Sequence, residues 1–174
     1  MIGYLPDFLA LGCIYCLFLH PRWKREGSDI LLVKTLMYLH FALVLYVTLM
    51  PLIPMLPYLR ERPCIPMNTE PFIDVRLRRG DYLRQIRLNV LMLMPYGFLR
   101  PLVQKRPLFI GAAVCTFLYS LMIELMQPFA GRTGDVTDLI TNTAGGAAGY
   151  VLSAMLRPLT GALLQKINKE RDFR

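Results

Sequence analysis

The sequence predicts an all-α integral membrane protein, a compact bundle of about five transmembrane helices with one Arg-rich extracytoplasmic loop. Hydrophobic residues make up 55% of the 174 residues, and the mean hydropathy is +0.41, more than a soluble domain of this length carries. These residues form runs that are each roughly long enough for a span of about 20 residues. The charged residues lie between the runs, so the net charge of +8 indicates loops and lipid headgroups rather than nucleic acid.

The apolar runs define a single membrane domain, residues 1–174, with candidate spans at 2–19, 30–50, 88–103, 108–126 and 136–156. No Lys or Arg precedes the first run, so we expect a retained span rather than a cleaved signal peptide. Asp7 is expected near its start, at the level of the headgroups. In the third run, Pro95-Tyr96-Gly97 predicts an interruption. The tail from Arg157 is basic and polar.

The polar connection at 56–87 separates the second and third spans. Prolines make a continuous helix across it improbable. Apolar residues interleave with arginines from Ile73 onward, which is typical of a short amphipathic segment at the membrane surface. The connection contains seven arginines: Arg60, Arg62, Arg76, Arg78, Arg79, Arg84 and Arg87.

The distribution of basic residues predicts the orientation. With the amino terminus outside, every lysine falls on the inner side, and the inner side also receives the larger share of Lys and Arg. The positive-inside rule therefore favours an N-terminus outside and a C-terminus inside. In this orientation, the polar connection and the polar ends of the last three spans lie at the outer face.

Polar residues at those span ends predict one polar site. Ser120, Glu124 and Gln127 share one stripe of the fourth span, because they are spaced at i, i+4 and i+7. Ionisable groups so close to hydrocarbon are costly and usually functional. If the last two spans pack together, Glu124 is held against Asp138 or Asn142, beneath Arg132, and these acids need Arg132, a cation or a shared proton. The candidate ligand-binding residues are Glu124, Gln127, Arg132, Asp135, Asp138, Asn142 and Asn89.

Simpler roles compete with this interpretation. Asp135 and Asp138 fit a cap pair at the start of the last span, and Asn89 fits a cap of the third. Arg132 fits an interface anchor. Gly145 and Gly149 form a G-x-x-x-G pattern that lets another helix approach closely.

The cysteines give weak signals. Cys13 and Cys16 form a C-x-x-C with no second pair and no nearby histidine, so we interpret them as small buried hydrophobes rather than metal ligands. Only Cys64 lies in a polar loop, so a disulfide framework is not expected. We predict no metal site and no cofactor.

Four stretches together resemble the VanZ family of bacterial membrane proteins. Residues 45–51 contain a Tyr-x-Thr-Leu that ends in proline, residues 68–72 read Asn-x-x-Pro-Phe, and residues 89–97 read NVLMLMPYG. The most specific stretch is E-x-x-Q-x(4)-R-x-x-D-x-x-D-x(3)-N-x(2–3)-G, which runs from Glu124 through Asn142 to Gly145 or Gly146. The resemblance implies a multi-pass protein of the bacterial plasma membrane. It also implies an association with resistance to the glycopeptide teicoplanin, because founding members of the family have it.

Three functions remain open at this stage. An outward polar pocket could bind or modify a lipid-linked cell-wall precursor or a lipoglycopeptide, with membrane lipids as partners. The carboxylates could instead perform acid–base or metal-assisted chemistry on a lipid phosphate, although no nucleophilic Ser or Cys lies beside a base, and the catalytic residues are unassigned. A proton or cation relay is the third possibility.

Overall fold

The computed structural model describes residues 2–58, 65–104 and 107–172. The expectations for Arg60, Arg62 and Cys64 lie outside these residues. Within them the protein is helical, with eight α-helices, short 3₁₀ turns and no strand. This confirms the prediction that the protein is all-helical.

The amino-terminal part is one helical run of four segments that continues beyond the predicted first span. A 3₁₀ turn, Ile2–Tyr4, leads into α1, Leu5–Ile14, then a π-helical stretch, Tyr15–Leu19, and α2, His20–Lys24. Tyr38 of the following helix donates a 2.7 Å hydrogen bond to the Leu11 carbonyl. Cys13 and Cys16 are exposed, so the prediction that they are buried is wrong.

The next helix, α3, spans Ser28–Thr48, and a 3₁₀ turn follows at Ile53–Tyr58. Asp7 of α1 is buried, with 4% of its surface exposed. Its carboxylate accepts the backbone N–H of Leu52 at 3.0 Å and that of Ile53 at 2.9 Å. Asp7 is therefore a buried anchor for the chain after α3.

Asp7→Asn is expected to lower the free energy of unfolding by about 1–2 kcal/mol, because one carbonyl oxygen replaces two charged acceptors for two N–H groups. Thermal unfolding in detergent, followed by circular dichroism, measures this loss. Asp29→Asn, a change of an acid in the first turn of α3, provides the matched control. An unchanged midpoint for Asp7→Asn would contradict the anchoring role.

The polar connection contains a short helix and the start of a long one. Helix α4 spans Ile73–Leu77, and α5 spans Tyr82–Leu99, followed by a 3₁₀ turn at Arg100–Val103. The predicted amphipathic segment is thus divided, because Arg78 and Gly80 adopt positive φ angles between the two helices. The predicted interruption at Pro95 is also wrong. Neighbouring helices pack around α5, and such packing tolerates one lost backbone hydrogen bond.

The last part of the chain forms three helices. Helix α6 spans Phe109–Met126, a 3₁₀ turn follows at Gln127–Ala130, and α7 spans Val136–Met155. The polar tail is helical as well, since α8 spans Arg157–Asp172 and meets α7 at a bend of 73°. Pro158 lies in the first turn of α8. A backbone N–H at this position has no acceptor within the helix, so the N–H that proline lacks costs no hydrogen bond.

Glycines bring α5, α6 and α7 into close contact. A methyl group on Gly145 would overlap the backbone of Val90, and one on Gly149 would overlap the Met94 carbonyl oxygen. Both partners belong to α5, so the close approach predicted from G-x-x-x-G is confirmed, and α5 is the helix that approaches. Gly97 of α5 meets Gly146 of α7 in the same way. The core nearby contains Leu93 and Ile123.

Two helical segments are long and apolar enough to cross a membrane among the described residues: Ser28–Tyr58 and Phe109–Ala130. A third exists if the bent pair Val136–Met155 and Arg157–Asn168 is counted as one span. Large apolar side chains point outward from these segments, such as Leu39 at 58% and Ile110 at 74% exposure. In a bilayer such side chains face lipid, so their exposure carries no penalty.

Candidate functional site

A cavity of about 760 Å³ opens where α3 and α6 end and α5 begins. Five of the seven residues predicted to form a polar site line it: Asn89, Glu124, Gln127, Arg132 and Asp138. Val47 and Thr48 close it on the α3 side, and Leu88, Leu91 and Met92 form an apolar wall on α5. Asp81, Arg84 and Gln85 complete the lining. The cavity therefore combines an apolar wall with a strongly polar end.

Glu124 is almost fully buried, with 1% of its surface exposed. Its Oε2 accepts the backbone N–H of Asp135 at 2.8 Å, which ties the turn after α6 to the end of that helix. Glu124 forms no hydrogen bond with a side chain of Asp138 or Asn142 in the described structure. Glu124 and Asp138 line the same cavity, but the hydrogen bond of Glu124 is with the backbone of Asp135.

Gln127 begins the 3₁₀ turn after α6 and is also buried, at 6% exposure. Its Oε1 is buried without a hydrogen-bond partner among the described residues. A buried polar atom without a partner costs about 1–3 kcal/mol. A ligand or water that donates a hydrogen bond in the cavity would remove this penalty.

Asp138 lies in the first turn of α7 and is half-buried. Gln85 Nε2 donates to both of its carboxylate oxygens, at 3.1 and 3.4 Å. Asn89 lies four residues after Gln85, on the same face of α5. It sits inside the helix Tyr82–Leu99, so its alternative role as a helix cap is wrong, because the helix starts earlier than the apolar run.

Arg132 contacts a different element from the one expected. Its NH1 donates to the carbonyl oxygens of Val47 at 2.8 Å and Thr48 at 3.2 Å. These are the last carbonyls of α3, which lack partners within the helix and favour a positive charge. No ion pair joins Arg132 to a carboxylate in the described part of the chain. Of the three alternatives for balancing the acids, which were Arg132, a cation or a shared proton, a direct ion pair with Arg132 is not seen among the described residues.

Asp135 and Asn142 do not line the cavity. Asp135 caps α7, since its Oδ1 accepts the Thr137 N–H at 2.6 Å, which is the alternative role stated for it. Its Oδ2 accepts from Asn68 Nδ2 at 2.8 Å. Asn142 is fully buried and donates to Ser120 Oγ at 3.0 Å. Asp135 thus joins the loop at Asn68 to the start of α7, and Asn142 joins α7 to α6 beside the cavity.

The loop before α4 supports the start of α7, and the sequence reasoning assigned no role to its key residue, Asn68. The backbone of Asn68 donates to the Gly134 carbonyl at 2.8 Å and accepts from Val136 N–H at 3.0 Å. Phe72 N–H donates to Thr137 Oγ1 at 2.9 Å. Asn68 and Phe72 are the ends of the Asn-x-x-Pro-Phe stretch, so that motif was the available signal.

Asp81 and Gln85 are the other lining residues without a predicted role, whereas Arg84 belongs to the arginines of the polar connection that are expected to attract phosphates. Asp81, Gln85 and Asn89 are spaced by four residues, which is the signal of one helix face. It was missed because the span was placed from Leu88, where the apolar run begins. Among the described residues, no three Asp, Glu, His or Cys side chains are arranged as a metal site.

This fold is that of an all-helical membrane protein whose polar residues gather at the helix ends. The chain belongs to the VanZ/LLP1 family, whose model matches residues 8–157. The resemblance seen in the sequence motifs is thereby confirmed over most of the chain. No curated protein and no solved structure matches it.

Proposed function

We propose that this protein binds or modifies a lipid-linked component of the bacterial cell envelope in the cavity between α3, α5 and α6. The proposal includes five spans in the plasma membrane, the N-terminus outside and the cavity in the outer leaflet. Binding there would contribute to teicoplanin resistance, in keeping with the family. The main observation in support of the proposal is that one cavity combines an apolar wall with a charged end.

The apolar wall suits a hydrocarbon chain. Leu88 and Leu91 lie one helical turn apart on α5 and are 54% and 57% exposed. They line the cavity and continue onto the outer surface of the helix, so an acyl or polyprenyl chain could enter sideways from the bilayer. Met92 adds a flexible apolar surface beside them.

The charged end suits a phosphate. Arg84 and Arg132 are both exposed and both line the cavity. The Arg84 side chain forms no hydrogen bond or ion pair with a described residue, so its guanidinium is available. Arg132 uses only NH1 in its bonds to α3. Guanidinium groups bind phosphate through paired hydrogen bonds, which gives geometry as well as affinity.

Arg84→Ala is expected to weaken binding of a polyprenyl phosphate about three- to tenfold, because one charge-assisted contact is lost at an exposed position. Binding of the labelled lipid to purified protein in detergent measures this effect. Arg79→Ala is the matched control, since Arg79 is an exposed arginine of the same segment that does not line the cavity. Equal affinities for wild type and Arg84→Ala would count against the proposal.

The same variants, expressed in bacteria, also test the link to teicoplanin resistance. A sensitive bacterium that expresses the wild-type chain should tolerate more teicoplanin than one that expresses Arg84→Ala. Arg79→Ala should match the wild type. Equal tolerance for all three strains, with normal protein levels, would separate lipid binding from resistance.

An enzyme acting on a lipid phosphate is the second candidate. Two carboxylates, Glu124 and Asp138, line the same cavity as the two guanidinium groups, which places acid–base groups near a phosphate site. Conversion of a polyprenyl diphosphate by the purified protein, lost in Asp138→Asn, would favour this candidate. Binding without conversion would favour the first.

A further inference from the structure

The cavity contains opposite charges that form no ion pair with each other in the described structure. Glu124, Asp138 and Asp81 contribute carboxylates, and Arg84 and Arg132 contribute guanidinium groups. The ion pairs in the described structure lie elsewhere, between Lys34 and Glu26 and between Arg76 and Glu70. Charges that line one cavity without pairing are available to complementary groups of a ligand.

The inner part of the cavity is rich in hydrogen-bond acceptors. Glu124 and Gln127 are buried at 1% and 6% exposure, and both face the cavity. Gln127 Oε1 has no partner among the described residues. Asp138 accepts from Gln85 Nε2, and its carboxylate has further lone pairs. A buried carboxylate without a cation is costly, so a cationic donor group would fit here.

The outer part of the cavity contains both guanidinium groups, together with the exposed carboxylate of Asp81. Arg84 and Arg132 are exposed, whereas Glu124 and Gln127 are buried. The guanidinium groups therefore lie nearer to solvent than the acceptors do. A fitting ligand carries a cation that reaches inward and an anion that stays near the rim.

We infer that the cavity selects a phospholipid headgroup in which a primary ammonium lies a few bonds from a phosphodiester, as in phosphatidylethanolamine. This inference rests on the proposed lipid binding and names the headgroup. The phosphodiester lies between Arg84 and Arg132, and the ammonium faces Glu124, Asp138 and Gln127 Oε1. A primary ammonium has three N–H donors for these acceptors. A quaternary ammonium has the same charge and no N–H donor, so it leaves Gln127 Oε1 without a partner.

The test compares three lipids that have identical acyl chains. Purified full-length protein is equilibrated with equimolar phosphatidylethanolamine, phosphatidylcholine and phosphatidylglycerol in detergent, and bound lipid is counted by native mass spectrometry. We expect roughly tenfold preference for phosphatidylethanolamine over phosphatidylcholine, because charge-assisted hydrogen bonds are lost with choline. Phosphatidylglycerol, which has the phosphodiester and no ammonium, should also be retained less.

Two nearly isosteric variants locate the selectivity. Glu124→Gln and Asp138→Asn should each reduce the preference to about twofold or less, since each removes an anionic acceptor. Glu70→Gln is the control, because Glu70 is exposed, pairs with Arg76 and does not line the cavity. Thermal unfolding checks that the variants are folded. If one of them does not fold, the other variant decides.

A competition experiment needs no variant and separates a membrane lipid from a soluble source of the same headgroup. Soluble phosphoethanolamine and phosphocholine are added to the wild-type complex. Displacement by phosphoethanolamine alone, at higher concentration than the lipid, supports recognition of the headgroup with added binding by the chains. Equally effective soluble and lipid forms would overturn the assignment to a lipid.

The outcomes distinguish this inference from the proposed function. Equal retention of phosphatidylethanolamine and phosphatidylcholine, or a preference that persists in both variants, would overturn the ammonium assignment. In that case lipid retention that still depends on Arg84 would leave the proposed function standing. Retention that does not depend on Arg84 for any of the three lipids would overturn both.

Discussion

Gly145→Ala and Gly97→Ala are each expected to destabilise the protein by about 3–5 kcal/mol, a large part of the roughly 5–15 kcal/mol that stabilises a folded protein. A methyl group on Gly145 would overlap the Val90 carbonyl, and one on Gly97 would overlap the Gly146 carbonyl. Backbone atoms cannot rotate away as a side chain can. Helices α5 and α7 would have to separate along their whole contact.

Separation of α5 and α7 would also change the cavity, because Asn89 adjoins Val90 on α5 and Asp138 lies on α7. Yield of folded protein, thermal unfolding and retention of lipid should therefore fall together in Gly145→Ala. In membranes, close helix contact through small residues supplies much of the energy of helix association, because the hydrophobic effect does not drive helices together in lipid.

Gly161→Ala is the matched control for this prediction. Gly161 lies within α8, and a methyl group there would meet nothing within 4 Å. Alanine favours a helix over glycine by about 0.8–1.0 kcal/mol, so this variant should be slightly more stable than the wild type. Equal stability of Gly145→Ala and Gly161→Ala would contradict the close contact of α5 with α7.

Local spacing was enough to predict the helices that carry the polar residues. Glu124 and Gln127 fall on one stripe, and α6 begins within one residue of its predicted start. The small residues of α7 predicted a close helix contact. Both follow from the 3.6-residue period and from side-chain size, which are local properties of the chain.

The partners of the polar residues could not be predicted in this way. Arg132 reaches Val47, 85 residues earlier in the chain, and no local pattern encodes that contact. Asp135 and Asn142 share a face of α7 with Asp138, yet they bond to Asn68 and Ser120 outside the cavity. The extent of the neighbouring helices determines which of several residues on one helix face line a cavity. Helix α5 extends to Tyr82, beyond its apolar run.

Glu124→Ala is expected to lower the free energy of unfolding by about 2–4 kcal/mol, and Glu124→Gln is expected not to lower it. Alanine removes a buried side chain and leaves the Asp135 N–H without the acceptor that now lies at 2.8 Å. Glutamine offers a carbonyl oxygen for the same bond and buries no charge. Removing an unpaired buried charge should even stabilise the ligand-free protein, by up to about 1 kcal/mol.

The two variants separate the structural role of Glu124 from its role toward a ligand. Thermal unfolding is measured with and without phosphatidylethanolamine, because a ligand that binds only the folded state raises the midpoint. The wild type should be stabilised by the lipid. Glu124→Gln should keep its ligand-free stability and lose most of the lipid-dependent increase.

Ser120→Ala completes this comparison. Ser120 lies one turn before Glu124, is fully buried and accepts a hydrogen bond from Asn142, and it does not line the cavity. Loss of the Ser120 hydroxyl should lower the free energy of unfolding by about 1–2 kcal/mol. The lipid-dependent increase in the unfolding midpoint should remain. If Glu124→Gln were instead as unstable as Glu124→Ala, the fold itself would need the charge. In that case the carboxylate of Glu124, which is 1% exposed, would stabilise the turn before α7 rather than bind a ligand.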